Sequence, residues 1–258
     1  IERVVSSANL QLIDRSLLNS RFNIDRDMGI QLRHKSKLGS TFVTREKFSI
    51  SQGEGRNITE GNEGGLQYTT RLELLPFGEF ASKGDYSQGD LKRENSLKTM
   101  IGFTYDYNRN AVKNRSNLGS YMFRADGSLF ETDITTLFVD TMIKYSGFSL
   151  MGEYAYRMAD KIEATEMDGS KTGAVVGAGS AVNIQSSYLF KNNVEMVVRY
   201  TALDFEPITR LSDLKQLTFG VSKYVVGHSL KVQTDLSFSQ SDNQKDFVQF
   251  RTGFDLHF

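Results

Sequence analysis

Basic side chains at alternating positions are the residues of this sequence whose chemistry is easiest to name. The set that we single out comprises Arg33, Arg71, Arg157, Arg199, Lys231 and Arg251. Guanidinium and ammonium groups replace part of the hydration that a small anion loses, so rows of them along an aqueous path form an anion pathway. We interpret the set as a candidate pore-lining anion ladder. In the alternative interpretation, the same cations pair with Asp and Glu of neighbouring segments and only keep one wall polar.

Catalytic chemistry finds little support in the sequence. Covalent catalysis needs a nucleophile or an activated water beside a base, yet His34, His228 and His257 have no Ser or Asp at the spacing of a recognisable active-site motif. The absence of Cys excludes disulfides, thiolate metal sites and Cys nucleophiles. The acid-rich stretch 163–168 could bind a hard cation, but we interpret it as a solvated loop. We therefore predict a protein that is not an enzyme and has no cofactor or metal site.

The composition narrows the class of protein. The 31 basic and 31 acidic residues balance, which gives no basic surface for nucleic acid. The chain has 18 Phe and 11 Tyr but no long aliphatic runs in which a soluble core would hide them. No stretch approaches the roughly 20 apolar residues of a membrane-spanning helix. Because the sequence begins at Ile1 without a basic-then-apolar signal, we expect a processed product or one part of a longer chain.

Apolar and polar residues alternate with a period of two along most of the chain, which predicts strands with one apolar and one polar face. The clearest examples are 66–74, 148–157, 194–201, 230–238 and 248–258. We predict twelve strands: 1–13, 26–34, 40–50, 65–75, 97–107, 134–145, 148–157, 179–190, 194–204, 214–225, 229–239 and 247–258. In 40–50, Thr44 and Glu46 fall on the same side as Phe42 and Phe48, which we interpret as a β-bulge.

The connections between these strands alternate between short and long, as the turns and loops of membrane barrels do. Short connections lie at 146–147, 191–193 and 226–228, and long polar ones at 108–133, 158–178, 205–213 and 240–246. The exception is 76–96, a long connection on the side where short turns are expected.

Alternation alone fits two kinds of fold: a soluble β-sandwich or β-helix with its apolar face inward, or a membrane barrel with that face toward lipid. The predicted strands have about the length needed to cross a bilayer, and aromatic residues such as Tyr188 and Tyr200 lie near strand ends. The last strand resembles the C-terminal assembly signal of outer-membrane barrels, through Gly253, Leu256 and Phe258. We therefore predict one all-β domain over 1–258, a transmembrane antiparallel β-barrel in the bacterial outer membrane. Its expected partners are outer-membrane lipid and the barrel-assembly machinery.

Six segments along nearly the whole chain resemble the phosphate-selective porin O/P family, in the form found in Bacteroidetes-type envelopes. They are 14–19 (DRSLLN), 26–32 (RDMGIQL), 70–77 (TRLELLPF), 84–86 (GDY), 147–154 (GFSLMGEY) and 198–204 (VRYTALD). The resemblance implies a sixteen-stranded, homotrimeric barrel to which this chain contributes the later strands, with about four N-terminal strands absent. It also accounts for the long connection 76–96. The alternative is a closed barrel of the twelve predicted strands, since strand numbers of such barrels are even.

The expected function is that of a porin: a water-filled channel for passive diffusion of small solutes. The resemblance implies phosphate-like anions as candidate solutes, although porins of this branch need not keep phosphate selectivity. The alternative is a structural or accessory barrel that serves as a subunit of a larger envelope complex, in which the pore is incidental.

Overall fold

A computed structural model describes residues 2–56 and 58–256 of the chain, and its fold is all-β. One antiparallel sheet contains eleven strands, each paired with the next of them along the chain. The strands are β1 (Gly29–Leu38), β2 (Phe42–Ser51), β3 (Gln67–Leu75), β4 (Lys98–Ala111), β7 (Thr132–Tyr145), β8 (Phe148–Ala159), β11 (Gly179–Leu189), β12 (Val194–Phe205), β13 (Leu214–Val226), β14 (Leu230–Ser241) and β15 (Gln244–Leu256).

Two small hairpins extend from the end of the sheet that carries the long loops. Their strands are β5 (Lys113–Arg115) with β6 (Leu118–Tyr121), and β9 (Glu163–Thr165) with β10 (Lys171–Val175). Helical structure consists of α1 (Leu17–Phe22) and the 3-10 turns Glu2–Val4, Ser7–Asn9, Ala81–Tyr86 and Pro207–Thr209. No helix within the described ranges is long and apolar enough to cross a membrane.

The register between strands keeps one polar and one apolar face across the whole sheet. On the polar face, Arg33 lies opposite Lys47, and Lys47 opposite Arg71. The apolar face is exposed from one edge to the other: the exposed fraction is 45% for Tyr154 and 48% for Phe219. The predicted alternation is therefore confirmed, and its apolar side has no second layer of described residues over it.

The sheet is open in the part of the chain that the structure describes. β1 pairs only with β2, and β15 only with β14. The described residues thus form one large sheet of eleven strands and not the closed barrel of about twelve strands expected from the sequence.

The strand predicted at 1–13 is wrong. In residues 2–13 the chain forms two 3-10 turns and a series of bends that lie across the polar face of the sheet. The physical reason is competition for the backbone: the carbonyls of Ala8 and Leu10 accept hydrogen bonds from the Lys231 ammonium, 2.8 and 2.7 Å away, instead of pairing with a strand.

The predicted bulge is also wrong. The β1–β2 and β2–β3 registers run without a shift, so Thr44 and Glu46 lie on the same side of the sheet as Phe48. Polarity is tolerated there because His34, on the neighbouring strand, contacts the Glu46 carboxylate with its Nδ1 at 2.9 Å. The other eleven predicted strands correspond to the eleven observed ones, with ends that differ by a few residues.

Candidate functional site

The polar face of the sheet is the surface on which the charged and polar side chains converge. Two segments of the same chain lie against it: the N-terminal segment, residues 2–28, and the connecting segment, residues 76–97, between β3 and β4. The N-terminal segment is hydrogen-bonded to β8 and β11–β15. The connecting segment is hydrogen-bonded to β2, β3, β7 and β11. Together they divide the face into a covered part and an open part.

Three members of the predicted ladder lie in the covered part. Arg157, Arg199 and Lys231 are at most 2% exposed. Arg157 donates to the carbonyl of Phe22 at 2.8 Å, and Arg199 donates to the carbonyl of Asp14 at 2.8 Å. Backbone carbonyls of the N-terminal segment therefore take the place of water around these cations.

Gln11 is the central contact between the N-terminal segment and the sheet. Its Nε2 donates to Oε1 of Glu195 at 2.6 Å, and its Oε1 accepts a hydrogen bond from Gln185 at 2.6 Å. The backbone N–H of Gln11 donates to the side chain of Gln88 in the connecting segment at 2.8 Å. Tyr224 completes this buried network by donating to Glu195 at 2.5 Å. One side chain thus fixes the N-terminal segment, the connecting segment and the sheet in a single register.

The start of the N-terminal segment is held by Glu2 and Ser16. The Glu2 carboxylate accepts hydrogen bonds from the Ser16 N–H and hydroxyl at 2.9 and 2.6 Å, and lies 3.7 Å from Arg199. The Ser16 hydroxyl also caps α1 by accepting from the N–H of Asn19 at 3.1 Å. Burial, with the nearby Glu153 carboxylate, raises the pKa of Glu2. The cap and the buried carboxylate therefore stabilise the same fold of the segment.

The connecting segment brings its own acidic and aromatic side chains to the basic strands. Asp85 forms an ion pair with Arg45, and the Tyr86 hydroxyl lies 3.0 Å from both Lys47 Nζ and Glu73 Oε2. At the end of the sheet with the short turns, Arg93 donates to the carbonyl of Leu189 at 2.7 Å. These contacts account for the length of this connection, because it folds back over the polar face instead of closing a tight turn.

The open part of the polar face lies over β1–β4 and forms a cavity of about 690 Å³. Its charged lining is mostly basic and consists of Arg33, His34, Lys35, Arg45, Lys47, Glu79, Lys83 and Arg71. Four of these cations are partly neutralised by carboxylates. Asp140 accepts two hydrogen bonds from Arg71 at 2.6 and 2.8 Å, Glu73 accepts one from Lys47 at 2.6 Å, and Glu79 accepts from Lys35 at 2.5 Å and from Arg45 at 2.8 Å. Arg33 is exposed, and its one hydrogen bond to a described residue goes to Gln31. Arg33 is therefore the ladder residue that most directly faces open space.

The six candidate residues do not form one row. Arg33 and Arg71 share the open cavity, three others lie under the N-terminal segment, and Arg251 sits near the far edge, where it pairs with Asp235 at 2.8 Å and with Asp14. The sequence analysis did not name Lys35 and Lys83 as site residues. Lys35 lies on the same side of β1 as Arg33, so the alternation of residues in this strand could have predicted it. Lys83 lies in the connecting segment, where no periodicity could have identified it.

The other predicted sites have the following positions. Gly253 lies in β15, and a Cβ atom at this position would lie 3.4 Å from Ile13 Cγ1. Leu256 is 46% exposed. Phe258 and His257 lie outside the described residues. Within those residues there is no group of three or more His, Asp or Glu side chains able to hold a metal ion, the acid-rich stretch 163–168 included.

His228 lies in the turn between β13 and β14, with its Nε2 3.2 Å from the Ser87 hydroxyl. Burial, and then the charges of Lys231 and Lys144, lower the pKa of His228 to about 4. Its Nδ1 is buried and finds no hydrogen-bond partner among the described residues. A serine–histidine pair used for catalysis needs a basic histidine that a third group orients, and this arrangement offers neither feature.

Comparison of the chain with protein families, with curated proteins and with solved structures gives no match. The resemblance to phosphate-selective porins therefore depends on the six sequence segments alone.

Proposed function

We propose that this chain forms part of the wall of a transmembrane β-barrel in the bacterial outer membrane, and that the barrel is a porin for passive diffusion of small solutes. The observation that carries the proposal is the apolar face, exposed on every strand of an eleven-stranded sheet. Strands of 9 to 14 residues have the length required to cross the hydrocarbon core at a tilt, about 9–11 residues. A soluble protein does not leave an apolar surface of this extent in water.

The open part of the polar face is where we place the aqueous path. The N-terminal and connecting segments fill the region over β8–β14 with hydrogen-bonded groups, whereas the cavity over β1–β4 keeps exposed cations. Arg33 would favour anions in that cavity, since its guanidinium attracts them and replaces lost hydration. Lys35 adds a second positive charge beside it, shared with Glu79 at 2.5 Å. The resemblance to phosphate-selective porins supports small phosphate-like anions as the solutes.

Planar-bilayer recording tests this proposal. Protein purified from its native membrane should conduct, and in a salt gradient its reversal potential should show preference for the anion. The double variant Arg33→Ser/Lys35→Ser should lower that preference. The control Lys215→Ser removes an exposed positive charge on the other face of the sheet and should leave selectivity unchanged. Absence of conductance would contradict the porin, and unchanged selectivity in the double variant would remove these two residues from the path.

A second function, that of an accessory barrel in a larger envelope complex, is favoured by one specific observation. The network around Gln11 fills much of the polar face with buried, hydrogen-bonded side chains, as expected of a barrel whose interior is structural. In that case the protein should be extracted with a stoichiometric partner and should not conduct. A porin should instead be extracted as a homotrimer without other proteins.

A further inference from the structure

The two edges of the sheet have the same direction. β1 and β15 both run from the end with the long loops to the end with the short turns, because the eleven strands alternate in direction and their number is odd. Both edges are highly exposed: the exposed fraction is 74% for Ile30 and 66% for Leu32 on β1, and 69% for Phe250 and 67% for Phe254 on β15.

Unpaired edges are incompatible with a lipid environment. Along an edge strand about every second residue directs its N–H and C=O away from the sheet, and each such group costs several kcal/mol when it is left unsatisfied in hydrocarbon. Over the ten residues of β1 and a similar length of β15, that cost exceeds any plausible stability of the fold. Both edges must therefore be paired in the membrane.

A second copy of these strands cannot supply the pairing. All copies insert in the same orientation, so β1 and β15 of every copy run in the same direction across the membrane. Any contact between edges of two copies would then join parallel strands, whereas membrane barrels are built from antiparallel neighbours. The N-terminal segment is excluded as well, because it lies on the polar face, where its backbone carbonyls accept hydrogen bonds from β8 and β12–β14.

We propose that an odd number of membrane-crossing strands completes this sheet, and that they come from polypeptide other than residues 2–256 of any copy. The strands next to β1 and β15 run opposite to both. Each carries apolar residues outward with a period of two, and the one beside β1 places polar side chains opposite Arg33 and Lys35. The inference rests on the proposed membrane location. The sequence analysis expected about four missing strands, an even number. An odd number is inferred instead, because it adds to the eleven strands of the sheet to give an even total.

Photo-cross-linking identifies the neighbours and their direction. Benzoylphenylalanine is placed at Ile30 or Leu38 on β1, and at Phe250 or Phe254 on β15, in the full-length protein made from its own gene in its own membrane. The matched control is Val198, which faces the same side from the central strand β12 and is 39% exposed. After irradiation, mass spectrometry identifies the captured peptide and the order of the captured residues.

The expected result is adducts at both edges to peptides that lie outside 2–256, and none at Val198. For an antiparallel neighbour of β1, the residue captured from Leu38 must precede in its sequence the residue captured from Ile30. The corresponding order must hold for Phe254 and Phe250. The reverse order at either edge, adducts to strands of a second copy, or no more adducts at the edges than at Val198 would overturn the inference. The readout is independent of conductance: a protein that gives the expected adducts without conducting contradicts only the porin.

Discussion

Removal of one buried ammonium group should loosen the N-terminal segment from the sheet. Lys231 is fully buried, and its Nζ donates to the carbonyls of Ala8 and Leu10 at 2.8 and 2.7 Å. Lys231→Met keeps most of the volume and the apolar stem of the side chain but removes both hydrogen bonds, together with the ion pair to the half-buried Asp255 at 3.6 Å. The segment then has fewer contacts in its covered position than it has in the wild type.

The magnitude follows from what each carbonyl keeps. Leu10 retains one donor, Gln233 Nε2 at 3.1 Å, whereas Ala8 loses the donor that the structure gives it. A buried polar group left unsatisfied costs about 1–3 kcal/mol, and the burial cost of the ammonium, which Met does not incur, offsets part of the total. We expect a net loss of about 2 kcal/mol in the free energy that holds the segment, which corresponds to an about 30-fold larger detached population.

Limited trypsin digestion in detergent micelles measures that population. The scissile bond after Arg15 precedes Ser16, which is fully buried, so cleavage there requires the segment to leave the sheet, and its rate follows the detached fraction. Lys231→Met should be cleaved about 30 times faster than the wild type. Lys215→Met, the same change at an exposed lysine, should be cleaved at the wild-type rate. Equal rates for both variants would refute the role given to the Lys231 hydrogen bonds.

Three further changes give expected outcomes. The pKa of His228 is lowered from 6.5 to about 4, so the folded protein resists protonation of this imidazole. The stability that the neutral imidazole contributes is therefore fully present above pH 6.5 and falls by up to about 3 kcal/mol as the pH drops to 4. Urea midpoints should show this loss in the wild type and not in His228→Gln. Gly220→Leu should speed the same tryptic cleavage, since a Cβ there would overlap Leu12 Cδ2 and overpacking costs about 1–3 kcal/mol. An unchanged rate would mean that the N-terminal segment accommodates the larger side chain without strain. Ser16→Ala removes the helix cap and a bond to Glu2, and should lower the urea midpoint by an amount equivalent to about 1 kcal/mol; an unchanged midpoint would contradict the capping role.

The sequence predicted the sheet well because its signal is local. In β14, for example, Val232, Leu236 and Phe238 lie on one face and Lys231, Gln233 and Asp235 on the other, and such a pattern indicates a strand with two unlike faces. The hairpins β5–β6 and β9–β10 were missed because strands of three to five residues carry too few alternations to register.

The covered part of the polar face could not be predicted in the same way. The contacts that bury Lys231 come from residues more than 200 positions earlier in the chain. The alternation of residues in β14 does not predict these contacts. The strand predicted at 1–13 failed for the same reason, since the donors that bind its backbone belong to distant strands. Parity correctly placed Arg33 and Arg71 on the polar face, whereas the distinction between open and covered cations required the tertiary structure.

The most direct test of the membrane-embedded wall compares two adjacent positions on β1. The chain contains no native cysteine, so Leu32→Cys and Arg33→Cys each introduce a single thiol, one on the apolar face and one on the polar face. In reconstituted vesicles, a fluorophore on the first thiol should be quenched by spin-labelled lipid, and the second thiol should react with a charged, water-soluble maleimide. If the thiol at position 32 reacts with the maleimide as fast as the one at position 33, and lipid does not quench its fluorophore, the apolar face does not meet lipid and the proposed wall is contradicted.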